Sequence, residues 1–123
     1  MWNTFFRDGG WGMYPTSLFG FLLVAAGVLC VIRPERRFVP LLLSLGAMTT
    51  GSGLLGCAVG LVTTFHYLPR VPEVDQRFTI AALGCAESLN NVVLALILVV
   101  LASLLSAVAA LRAALAAPRP AAA

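Results

Sequence analysis

Uncharged apolar stretches alternate with short charged connections along this chain. The last stretch starts after Glu87 and reaches its next charge at Arg112, so at ~1.5 Å per helical residue it can cross a hydrocarbon core of ~30 Å. Two similar stretches precede it, and the charged segment 33–37 separates them. The pattern predicts three membrane-spanning helices, at about 14–32, 38–66 and 79–111.

The two flanks of this predicted membrane domain, 14–115, differ from it in composition. Residues 1–13 mix aromatic rings with charges and glycines, which is typical of a segment that lies along the membrane surface. Residues 116–123 are alanine, proline and arginine and predict a disordered tail. Pro15 suits the first turn of the first helix, where its missing N–H costs no hydrogen bond.

Composition assigns the class of protein. Of the 123 residues, 60% are hydrophobic and 11% are charged, so we expect an all-α integral membrane bundle that spans the lipid bilayer three times. All eight basic residues are arginine and lie scattered, so we expect no nucleic-acid partner. Cys30, Cys57 and Cys85 lie in apolar stretches and are expected to be small buried residues. With no nucleophile–base pair or ligand cluster in the sequence, we expect no enzyme activity, metal or cofactor.

Small residues recur every seven positions in the second and third predicted spans. They are Gly46, Gly53 and Gly60 in the second span, and Ala81, Ser88, Ala95, Ala102 and Ala109 in the third. Gly56 and Gly60 also form a GxxxG pair, a spacing that lets helix backbones approach closely. The two stripes predict that spans two and three pack tightly as a helical hairpin.

Arginine distribution predicts the orientation of the chain. The first connection carries three arginines and the C-terminal region two, against one near the N-terminus and two in the second connection. Because cytoplasmic loops are enriched in arginine, we expect the N-terminus outside and the C-terminus in the cytoplasm. Glu87 and His66 would then lie toward the outer face.

Polar residues gather at the start of the third predicted span. Glu87, Asn90 and Asn91 place a carboxylate and two amides where such groups turn toward protein or water rather than lipid. One interpretation is an ion path, because Glu87 can exchange protons and the amides can order water. The other is that these residues cap or orient the helix through hydrogen bonds. His66 is expected at the interface beside Tyr67.

Three short motifs resemble segments of the ExbB and TolQ proteins, in the same order. GGWGMYP at 9–15 resembles the segment that leads into their first span, and GLLGCAVG at 53–60 resembles their second-span motif. GCAESL at 84–89 is similar to the head of their third span, with Glu87 at the position of their glutamate. Cys57 stands where the family has a second-span threonine, and Val92 stands near its third-span threonine.

This resemblance implies a subunit of the MotA/TolQ/ExbB type in the bacterial inner membrane. Such subunits form homo-oligomeric rings around single-span ExbD/TolR-like partners and couple proton flow to mechanical work. The long cytoplasmic segment of the family is reduced here to residues 33–37. We therefore expect a self-associating subunit that forms or regulates a proton-conducting motor, the alternative being a non-conducting membrane scaffold that kept only the packing motifs.

Overall fold

The computed structural model describes residues 10–118, which form three α-helices joined by short connections. The helices are α1, Met13–Ile32, α2, Val39–Tyr67, and α3, Val74–Ala116. Single turns of 3₁₀ helix precede and follow α2, at Arg36–Phe38 and Leu68–Arg70. All three helices are long and apolar enough to cross a membrane, and the described residues contain no strand. The predicted all-α, three-helix fold is therefore confirmed.

Prolines set several of the helix ends. Arg33 and Ala117 leave the helical conformation, with ψ of 87° and 134°, and each ends a helix. Pro34 and Pro118 follow them, and a proline disfavours the helical conformation of the residue before it.

At the start of α1, Gly10 adopts a φ of 67°, and its carbonyl accepts a hydrogen bond from the Met13 N–H. This turn therefore requires glycine's conformational freedom.

The third helix is longer than the predicted span. It begins at Val74 instead of residue 79 and includes Ala116, which was assigned to the tail. Its 43 residues make it ~65 Å long at ~1.5 Å per residue, about twice the hydrocarbon thickness. The first turns carry Asp75 and Arg77, so they extend beyond the hydrocarbon. The predictions for residues 1–9 and 119–123 lie outside the described residues.

Helices α2 and α3 run antiparallel and approach closely at glycines. A Cβ added at Gly53 would lie 2.5 Å from the Ala95 Cβ, and one added at Gly60 would collide with the Ser88 hydroxyl. From the first contact to the second, the residue number rises from 53 to 60 on α2 and falls from 95 to 88 on α3, so the two helices run in opposite directions. At these two positions α2 has no side chain, so the short side chains of Ala95 and Ser88 lie directly against its backbone.

Helix α1 runs parallel to α3 and also contacts it through glycines. A Cβ added at Gly27 would lie 3.2 Å from the Leu105 Cβ, and one added at Gly20 would collide with the Leu98 side chain. The second contact lies seven residues after the first on both helices, so α1 and α3 advance in parallel without a shift in register. The predicted hairpin is thus part of a bundle in which α1 packs against both other helices.

Large apolar side chains cover the outside of the bundle. Phe21 is 70% exposed, Leu43 71% and Val100 65%, one on each helix. A continuous apolar surface of this kind is unfavourable in water and is the surface that lipid solvates. The structure therefore describes a multi-pass membrane protein whose interior is made of small residues.

Replacing Gly53 by valine should separate α2 from α3, because the new side chain meets Ala95 and the backbone carbonyl of Asn91. We expect the free energy of unfolding to fall by about 1–3 kcal/mol, as for other overpacked interiors. Denaturant titration of the monomer in detergent, followed by circular dichroism, measures this. Gly51→Val is the matched control, since nothing lies within 4 Å of a Cβ at Gly51. An equal loss for both variants would contradict the packing described here.

Candidate functional site

All three helices meet at one junction, which consists of Gly12, Gly56 and Asn91. A Cβ added at Gly12 would lie 2.6 Å from the Gly56 Cα and 2.9 Å from the Asn91 Oδ1. The Asn91 side chain is 2% exposed. The amide therefore fills the gap that the two glycines leave between the helices.

Hydroxyl groups line the space above this junction, and each donates a hydrogen bond to a backbone carbonyl of its own helix. The Thr64 Oγ1 donates to the Gly60 carbonyl at 2.9 Å, and the Ser88 Oγ donates to the Gly84 carbonyl at 2.7 Å. The Asn91 Nδ2 donates to the Ser88 carbonyl at 3.4 Å. Because their protons are used within the helix, these hydroxyls present acceptor lone pairs to anything that enters.

An open cleft of about 510 Å³ lies between the ends of α2 and α3 above the junction. Its walls include Thr63, Thr64, Tyr67, Leu83, Glu87 and Asn91. Glu87 is exposed, and it is the one charged residue among the described residues that line the cleft. No ion pair among the described residues involves its carboxylate. The cleft is therefore an acceptor-rich space with one negative charge.

The structure brings Glu87 and Asn91 to the same cleft but places the other predicted polar residues elsewhere. Asn90 is half-buried and is not one of the residues that line the cleft. His66 is exposed beside Tyr67, with its Nδ1 2.9 Å from the Val62 carbonyl oxygen one turn earlier. The predicted site thus reduces to Glu87 and Asn91, with the hydroxyls of Thr64 and Ser88.

The predicted packing residues have different environments. Gly53, Gly56, Ser88, Ala95, Ala102 and Ala109 are buried, whereas Gly46, Gly60 and Ala81 are half-buried. A Cβ at Gly46 would have none of the described residues within 4 Å, so this glycine makes no close helix contact inside the described bundle. The stripe of α3 therefore faces the bundle interior more completely than the stripe of α2.

Sequence reasoning missed Gly12 of the junction and Thr64 of the cleft. Gly12 lies before the first helical residue, so no periodic pattern could place it against Gly56. Tyr67 was assigned to the interface and also contributes to the cleft wall. Cys57, which replaces the family's threonine, is buried on the inner face of α2.

Comparisons with family models, curated proteins and solved structures find no match to this chain. The resemblance to ExbB and TolQ therefore depends on the three short motifs and stays a prediction. The geometry adds that residues of all three motifs are neighbours in space. The first motif contributes Gly12, the second Gly56 and the third Ser88. The two glycines lie against each other and against Asn91, and the Ser88 carbonyl accepts a hydrogen bond from the Asn91 amide.

Replacing Asn91 by alanine should destabilise the bundle, because the change leaves a gap between Gly12 and Gly56 and removes the bond to the Ser88 carbonyl. We expect a loss of about 1–2 kcal/mol, since a hydrogen bond contributes about 1 kcal/mol and the vacated volume adds to the loss. Reversible unfolding in mixed micelles measures this. Asn90→Ala is the matched control and should cost less. A larger effect at Asn90 would contradict the burial described here.

Proposed function

We propose that this chain is an ExbB/TolQ-like subunit of the bacterial inner membrane that self-associates and forms or regulates a proton path. The partner would be a single-span ExbD/TolR-like protein. The observation that supports this best is the position of Glu87 in an open, hydroxyl-lined cleft, directly above the junction of all three helices.

A glutamate in such a cleft has the chemistry that proton transfer requires. Its carboxylate lines the cleft, is exposed and has no ion-pair partner among the described residues, so water in the cleft can reach it. The oxygens of Thr64 and Ser88 can accept hydrogen bonds from water in the cleft. Water ordered there would connect Glu87 to the aqueous phase at this end of the bundle.

The junction prevents a water path through a single chain. Asn91 fills the gap between α1 and α2, and an added Cβ at Gly56 would lie 3.1 Å from the Gly12 Cα, which leaves no room for water. A path that crosses the whole bilayer would therefore run between subunits, or between a subunit and its partner. This is why the proposal requires an oligomer.

An unoccupied small-residue surface supports self-association. Nothing lies within 4 Å of a Cβ built at Gly46 or Gly51. Both glycines line a groove of about 710 Å³ between α2 and α3, together with Thr50 and Ser103. A bare helix face allows a helix of another subunit to approach closely in lipid. The glycines that are not used inside the chain are thus available between chains.

The second candidate function is a non-conducting membrane scaffold. Cys57 and Val92 stand at or near the family's two threonine positions. Below the junction the glycines contact alanine and leucine, and the buried hydroxyls of Thr16 and Thr49 donate to backbone carbonyls one turn earlier. Apolar constrictions exclude water and ions. In this alternative the three motifs preserve helix packing, and Glu87 orients α3 at the membrane surface.

Proton flux distinguishes the two candidates. In liposomes that contain the chain with its single-span partner, Glu87→Gln should reduce proton flux to the protein-free level, because the amide cannot exchange a proton. A pH-sensitive dye inside the vesicles measures the flux. Glu73→Gln is the matched control: Glu73 is exposed, precedes α3 and does not line the cleft, so flux should be unchanged.

Two results would contradict the conducting proposal and favour the scaffold. One is equal flux for the native chain and Glu87→Gln. The other is no flux from either when the partner is present and both proteins are shown to be reconstituted.

The proposed orientation is tested by labelling single cysteines in a variant without native cysteines. A membrane-impermeant thiol reagent added to intact cells with a permeabilised outer membrane should label Thr79→Cys, at the Glu87 end. It should label Glu35→Cys only after the inner membrane is opened, because the arginine-rich connection is expected in the cytoplasm. The reverse pattern would show that Glu87 faces the cytoplasm.

A further inference from the structure

A second cleft lies at the opposite end of the bundle from Glu87, where α1 ends, α2 begins and α3 ends. Its volume is about 460 Å³. Leu42 of α2 and Ala109 and Ala113 of α3 contribute apolar walls. Arg36 and Glu35 also line the cleft, and both are exposed. The cleft therefore joins an apolar groove to a cation and to an acid that is paired with a neighbouring arginine.

Positive charge predominates at this end of the described chain. The charged residues are Arg33, Arg36, Arg37, Arg112 and the single acid Glu35. Glu35 forms an ion pair with Arg37, which neutralises its charge locally. Arg36 forms no ion pair or hydrogen bond with any other described residue. Its guanidinium donors are therefore available to an anion.

A contact between α1 and α3 holds this end of the bundle together. The Arg112 Nη1 donates to the Val31 carbonyl oxygen at 2.5 Å and so satisfies a carbonyl in the last turn of α1. Arg112 is consequently engaged, and the ends of α1 and α3 are fixed next to the cleft. The groove is thus formed by contacts within the chain itself. Among the described residues, Arg36 is the arginine that lines it, and its guanidinium has no ion-pair or hydrogen-bond partner there.

We propose that this cleft binds one anionic phospholipid, with the phosphate at Arg36 and an acyl chain between Leu42 and Ala113. Helix α1 has 20 residues and spans ~30 Å, so its C-terminal end reaches headgroup depth when the helix crosses the bilayer. A phosphate there forms charge-assisted hydrogen bonds with a guanidinium. The headgroup of a zwitterionic lipid carries a cation as well as a phosphate, and the arginines at this end repel that cation. Charge complementarity therefore favours an anionic headgroup.

Among the described residues, the other end of the bundle has two arginines, Arg70 and Arg77, and three acids, Glu73, Asp75 and Glu87. The Arg77 Nε already donates to the Val71 carbonyl at 2.7 Å. No arginine among the described residues lines the Glu87 cleft, so this part of the chain has no comparable site for an anionic lipid there. The lipid site is independent of the proposed proton path and stands or fails separately from it.

Native mass spectrometry of the purified full chain tests the proposal. The probe is an equimolar mixture of phosphatidylglycerol and phosphatidylcholine, from which the protein is extracted in mild detergent. We expect one phosphatidylglycerol to remain bound per chain. Arg36→Gln should weaken retention about fivefold, the value of one arginine at a membrane surface, whereas Arg36→Lys should keep most of it. Ala113→Phe should weaken retention by filling the groove.

Two matched controls make the test specific. Arg70→Gln removes an arginine from the opposite end, and Ala107→Phe adds the same bulk at an exposed position outside the cleft. Both should retain lipid like the native chain, and circular dichroism should be the same for all variants. Equal retention of phosphatidylcholine, or equal loss in Arg70→Gln, would overturn the proposal. Displacement of the lipid by inorganic phosphate or free glycerophosphoglycerol would overturn it as well, because the acyl chain would then contribute nothing.

Discussion

Close backbone approach at glycines is the interaction on which the rest of this structure depends. Lipid tails are as apolar as leucine, so burial of apolar surface does not drive helices together inside a bilayer. Van der Waals contact and interhelical hydrogen bonds must do so, and both require short distances. The backbones of α1 and α2 come into contact at Gly12 and Gly56, and Asn91 of α3 closes the remaining gap.

This junction divides the bundle into two ends with different chemistry. Above it, α2 and α3 continue beyond α1 and enclose a cleft with a carboxylate and several hydroxyls. Below it, small and apolar residues fill the contacts down to an arginine-rich end, where a second cleft opens. Because no water path passes the junction within one chain, transport across the membrane would require a second subunit, whereas a scaffold requires none. A monomeric state would therefore contradict the conducting proposal, whereas an oligomer is compatible with both proposed functions.

Hydropathy was sufficient to predict the three-helix fold, and the small-residue repeats identified the face of α3 that is buried. The contact between α1 and α3 was missed, although Gly20 and Gly27 repeat every seven residues. Their partners, Leu98 and Leu105, are large apolar residues. In the sequence alone, a leucine that packs against another helix is not distinguishable from a leucine that faces lipid. Asn91 could have been separated from Asn90, since it lies three residues after Ser88 and four before Ala95, on the same helix face. The start of α3 was placed too late because its first turns contain Asp75 and Arg77, and hydropathy locates only the apolar part of a helix.

Disulfide cross-linking in membranes tests most directly the claim that glycine contacts fix the register of the helices. In a variant without native cysteines, we expect Gly27→Cys paired with Leu105→Cys to form a disulfide under mild oxidation. The Leu105 Cβ lies 3.2 Å from a Cβ built at Gly27, close to the separation of ~3.5–4.5 Å in protein disulfides. Gly20→Cys paired with Leu105→Cys is displaced by two helical turns and should stay reduced. Equal cross-linking of both pairs, or cross-linking of the displaced pair alone, would contradict the account.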